Sequence, residues 1–145
     1  MDVDLIPSLG LKAADAIADL ALAEAAQAGI AICVALVDRA GHPLVFKRLP
    51  GAPFHSIDIA LDKAYTAVSF GLPTGQWEER LAERGEMLRH GLMQRERFVG
   101  FGGGLPIKVD GTRVGAIGIS GGSEAQDVAF AEGALAAWQE KRAAK

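Results

Sequence analysis

Between Ser8 and Ala28 the apolar side chains of Ala13, Ile17, Leu20, Ala21, Ala25 and Ala28 recur every three or four positions, and Gly29 follows where a left-handed residue ends a helix. The spacing predicts a first helix. "IAICVALVD" then runs apolar without alternation, as a strand covered on both faces does, and "DRAG" turns the chain into a second strand, "HPLVFKR". "PGAP" breaks that pattern, and a helix follows from about Ser56 to Phe70, with Ile57, Ala60, Leu61, Ala64 and Val68 on one side. "GLPTGQW" stops it and offers Thr74 as a cap for a short helix to about Glu83, and "RGEMLRHGLMQRERF" reads as a second short, irregular helix. "LPIKV" and "RVGAIGIS" are strands joined at Asp-Gly, a strong hairpin signal. Ser123 caps a last helix, with Gln126 completing a capping box and Val128, Ala131, Leu135 and Trp138 as its buried stripe.

Hairpins rather than single strands separate the helices, so the expected architecture is α+β, an antiparallel sheet with helices packed on it. At 145 residues, half of them hydrophobic, the chain holds one substantial core and is read as one domain, 1–145. A net charge of -3, with its 15 Lys and Arg dispersed, leaves no footprint for nucleic acid. The N-terminus lacks the basic start of a secretory signal and no apolar run spans a bilayer, so the expectation is a cytoplasmic protein without a membrane partner. Cys33 sits inside an apolar strand, the ordinary place for a small buried hydrophobe.

The glycine-dense stretch from Phe101 to Gly122 is the most distinctive feature. A phosphate loop would follow its lysine with Ser or Thr, but Lys108 is followed by Val109, and the dinucleotide fingerprint is absent. A linker would not hold two strand-like segments. Close approach remains: Gly102, Gly103, Gly104, Gly115 and Gly118 let a helix, a ligand ring or another subunit lie against backbone. Gly121 and Gly122 precede a helix N-terminus, which either binds an anion or is already satisfied by Ser123.

The segments "VALVDRAGHPLVFKR", "ALDKAYTAVSFGLPT" and "GGGLPIKVDGTRVGAIGISGGSEAQDVAFAEGAL" resemble the GlcG/HbpS family. That family includes the glycolate-operon G protein, the extracellular haem-binding protein of actinomycetes and the C-terminal domain of PduO-type cobalamin adenosyltransferases. The combination of K-A-x-T-A, G-G-x-P-I and G-A-I-G-x-S-G carries the resemblance over about three-quarters of the chain. It implies a profilin-like unit with a central antiparallel sheet, usually assembled as a homo-oligomer. Some relatives bind haem, and similar proteins include small lyases acting on hydroxylamino-aromatic acids, so membership defines the fold better than the function.

Plotted on a helical wheel, His55, Asp58, Asp62, Thr66 and Ser69 gather opposite the apolar face of the middle helix, flanked by Lys63 and Tyr65. This stripe is either a solvated face or one wall of a pocket, with Gly102, Gly103, Gly104 and Pro106 forming the other. In a pocket, His55 could act as general base or axial haem ligand, Lys63 and Arg48 could hold a carboxylate or propionate, Tyr65 could donate a proton, and Thr66 could bind the ligand. His90, with Met87 and Met93 at helical spacing, offers another haem-ligand set outside the family motifs. His42 in a turn reads as exposed, and His55, Asp58 and Asp62 make too ordinary a helix for a metal site. Ser120 in "GISGG" matches a nucleophile elbow formally, but on a hairpin strand rather than a strand-to-helix turn.

Two functions follow as expectations. The first is a small-molecule-binding protein with its pocket between subunits and haem as a candidate ligand. The second is a cofactor-independent lyase or isomerase acting on a small aromatic or hydroxy acid, with His55 as acid/base and Lys63 and Arg48 on the carboxylate. An accessory subunit without pocket chemistry is a third class.

Overall fold

Turn chemistry builds the sheet. The computed structural model describes residues 2–145. Strand β1 (Cys33–Asp38) returns as β2 (Pro43–Arg48) through a turn in which Asp38 Oδ1 accepts from the backbone N–H of Ala40 at 2.9 Å and of His42 at 3.0 Å. Strand β3 (Gly104–Val109) returns as β4 (Thr112–Ser120) through Asp110 and Gly111, both at positive φ (51° and 79°), as an Asp-Gly hairpin of the mirror-image type requires. Pairing of β1 with β4 fuses the two hairpins into one antiparallel sheet in the order β2-β1-β4-β3.

Alternation along β1 and β4 then sorts side chains between two faces. Val34, Leu36, Ile117 and Ile119, all fully buried, join Ile107 against α1 (Leu11–Gln27) and α5 (Glu124–Ala143). Each such side chain contributes about 1.5–3 kcal/mol by leaving water. The other face carries Cys33, Ala35, Val37 and Ala116 under α2 (His55–Phe70). The result is the expected profilin-like α+β arrangement, with the sheet between two helical layers.

Small residues on that second face explain the glycines. Register places Ala35 opposite Gly118, and Gly118 opposite Gly104. A Cβ at Gly118 would run into the Ala60 carbonyl oxygen and lie 2.6 Å from Ala64 N; one at Gly104 would lie 2.6 Å from Lys63 O. The backbone of α2 therefore rests directly on the sheet, and what comes close at this stretch is a helix of the same chain.

Three expectations are corrected. The buried side of α2 comprises Ser56, Ala60, Lys63, Ala64, Thr66, Ala67 and Val68, while Ile57 and Leu61 are only half-buried, because the helix turns its smallest residues toward the glycines. On α1 it is Ala14 and Ala18, rather than Ala13 and Ala28, that join Ile17, Ala21 and Ala25 in the core. Thr74 does not cap a helix: it opens a 3-10 turn (Thr74–Gln76) ahead of α3 (Trp77–Ala82), and its hydroxyl accepts from Gly104 N at 2.9 Å. Helix α4 (Glu86–Met93) follows. Among the described residues no helix is long and apolar enough to cross a membrane.

Candidate functional site

Lys63, placed by the wheel beside the polar stripe, points inward. It is 1% exposed, and its ammonium donates to the carbonyl of Ile119 at 2.7 Å and to Asp127 Oδ2 at 3.3 Å. Burial pulls the Lys63 ammonium below its ordinary range and pushes the Asp127 carboxyl above its own, each effect opposed by the partner's charge. The second oxygen of Asp127 accepts from Gly122 N at 2.9 Å, and Ser123 and Gln126 exchange the two bonds of the expected capping box. The start of α5 is therefore satisfied from within the chain.

Gly102, Gly103 and Gly104 are buried between these groups. A Cβ on Gly102 would lie 2.5 Å from the Val128 side chain, and one on Gly103 2.6 Å from Lys63 Nζ. Pro106 is half-buried on the edge strand, opposite Ala116. In place of the expected cleft wall, the glycine run meets α2 and α5.

Thr66 is 2% exposed and covered by residues 97–99: its hydroxyl donates to Arg97 O at 2.8 Å and accepts from Val99 N at 3.1 Å. Arg97, at φ 67°, pairs with Asp62 at 2.9 Å and stacks 3.7 Å above the Tyr65 ring. The hydrophilic edge of α2 thus binds a loop rather than facing the glycines. His55 is exposed at the first turn of α2, about 12 Å along the axis from Lys63. Arg48 is exposed at the end of β2, donating to Leu49 O at 3.3 Å. The fold does not bring His55, Lys63, Tyr65 and Arg48 to one point, and His42 is exposed at its turn.

Pinning residues 97–99 to α2 shapes a large cavity. Phe70, Trp77 and Phe98 meet edge-to-face, with ring centroids 4.7 to 6.2 Å apart. Beside them opens a cavity of about 620 Å³, bounded by Trp77 and Leu81 of α3, by Arg89, His90 and Met93 of α4, and by residues 98–101. His90 and Met93, three apart on one helix, project to the same side. The buried Nε of Arg89 and Nε1 of Trp77 have no hydrogen-bond partner among the described residues. Buried donors of this kind are normally satisfied.

This cavity is mostly apolar and carries an imidazole and a thioether. Sequence reasoning noted His90 and Met93 but set no pocket around them, and it missed Arg89 and Trp77. The only signal was basic and sulfur-bearing side chains recurring on a short amphipathic segment.

Known proteins resemble this chain in sequence and in fold. The family model described as haem degrading protein HbpS-like matches residues 9–136. An uncharacterized 15.0 kDa protein from the dhaT-dhaS intergenic region of Citrobacter freundii is 34% identical over 135 residues, 93% of this chain and 95% of its own length. The crystal structure of a Streptomyces reticuli HbpS double mutant superposes with a TM-score of 0.85 at 33% identity, covering 94% of this chain and 90% of that one. The crystal structure of a PduOC:heme complex superposes with a TM-score of 0.82 at 31% identity, covering 90% and 94%.

Proposed function

The chain belongs to the HbpS-like family, and from that premise we propose that it binds haem in the cavity between α3, α4 and residues 98–101. The carrying observation is the placement of His90 and Met93 on the wall of an aromatic cavity that Arg89 also lines. A volume of about 620 Å³ lies within the ~300–1,000 Å³ typical of small-molecule and cofactor sites.

Haem in such a site would supply an iron centre that binds small ligands and exchanges electrons. The remaining roles belong to the chain. His90 would hold the metal through a neutral imidazole nitrogen, the commonest biological ligand of its kind. Met93, on the same side, would offer a thioether in place of the imidazole. Arg89, a planar fork, suits a propionate carboxylate. Trp77, Phe98 and Phe101 would exclude water.

We further infer a homo-oligomer that shares this site. Met93 and Phe101 line the cavity yet remain 58% and 47% exposed, which favours a second copy closing its mouth. Hemin added to the apoprotein should co-elute with it in gel filtration at a fixed stoichiometry per subunit; hemin that separates completely from the protein would refute the reading.

A further inference from the structure

On the far side of Phe70 from the haem cavity, three cations converge with nothing to neutralise them. A hollow of about 460 Å³ at the turn end of the sheet is bounded by Arg39 from the β1–β2 turn, Lys108 of β3, Arg113 of β4, Thr112, Phe70 and Ile6. None of the three basic side chains pairs with an acid among the described residues. Asp38 is occupied by its own turn, and the exposed Asp110 joins no ion pair.

Sheet register sharpens the anomaly. Lys108 and Arg113 stand directly opposite each other, an arrangement in which like charges repel and cost stability. A bulge between Ile107 and Lys108 interrupts the ladder here, and bulges re-aim side chains beside binding sites. Arg113 runs along the end of α2, so that a Cβ on Gly71 would strike its guanidinium. The negative end of that helix accounts for one cation but not three. The buried Nε of Arg113 still lacks a partner.

We propose that this hollow is a binding site for a small organic anion, a phosphate or carboxylate head held by Arg113, Lys108 and Arg39, with an apolar body against Phe70 and Ile6. An anion between Lys108 and Arg113 turns their repulsion into a bridge, and a planar guanidinium meets either head group with two parallel bonds. The apolar part of the lining favours an organic anion over a bare inorganic one.

Titration followed by the NMR signal of the Arg113 Nε–H tests the site, with phenyl phosphate, benzoate and inorganic phosphate as probes at constant ionic strength. Phenyl phosphate or benzoate should shift that signal saturably, whichever binds tighter identifying the head group. Arg113→Gln should weaken binding about tenfold, and Arg39→Gln and the exposed Lys108→Gln by smaller factors, while amide spectra stay those of the folded protein. The Lys108 variant keeps the test valid if Arg113→Gln fails to fold. An absent shift, an equal response to chloride, affinity unchanged in the Lys108 and Arg39 variants, or inorganic phosphate matching phenyl phosphate would overturn the proposal.

Discussion

Lys63 of the middle helix and Asp127 of the last helix form an ion pair of 3.3 Å that is almost wholly out of water, with side chains 1% and 4% exposed. The pair ties α2, β4 and α5 together through Ile119 O and Gly122 N. It occupies the one lysine of the K-A-x-T-A motif, and its role here is architectural.

Removing one partner strands the other. Lys63→Met should destabilise the fold by about 3–5 kcal/mol at neutral pH, and adding Asp127→Asn should recover part of the loss. The pH dependence has a definite sign. Burial holds Lys63 below its ordinary 10.5, so the unfolded chain binds more protons there in the alkaline window and stability rises with pH. Burial holds Asp127 above its ordinary 3.8, so the native chain binds more protons there just above that value and stability falls as pH rises. Measured by denaturant midpoints against the double variant, wild type should be least stable between the two windows; a maximum there would contradict this account.

Gly118 should tolerate no side chain. Gly118→Ala places a methyl against the Ala60 carbonyl and Ala64 N, lifting α2 off the sheet at a cost of about 1–3 kcal/mol or more. Gly91→Ala on α4, where a Cβ meets nothing within 4 Å, should instead stabilise by roughly 0.5–1 kcal/mol. Paired thermal melts distinguish the two.

Thr66 lies outside the large cavity but holds its wall. Thr66→Val keeps the shape while losing both hydroxyl bonds to residues 97–99, and should cost about 1–3 kcal/mol. Hydrogen exchange at Val99 should speed up and haem affinity should fall. A change in global stability with unchanged Val99 protection and unchanged affinity would separate Thr66 from the site.

Much of the fold was legible because its signals are local. Asp-Gly at 110–111, Asp38 with Gly41, and Ser123 with Gln126 each specify a turn or cap within four residues, and the structure has each of them. Pairing of β1 with β4 joins residues some eighty positions apart, and nothing local encodes it. The site was hidden for the same reason. Lys63 reads as a surface lysine until Asp127, sixty-four residues later, supplies its countercharge. Thr66 reads as solvated until residues 97–99 fold over it. His90 lies on a short amphipathic segment that reads as an ordinary surface helix, and only the packing of Trp77, Phe98 and Phe101 around it reveals a cavity.

The most direct test compares hemin titrations of the wild type, His90→Ala and His55→Ala. Both histidines are exposed, but His90 lines the aromatic cavity, whereas His55, at the start of α2, lines none of the cavities described above. The account expects a saturable Soret band in wild type and His55→Ala, and a shifted or abolished band with affinity at least about tenfold weaker in His90→Ala. A spectrum unchanged by loss of His90 but altered by loss of His55 would contradict it.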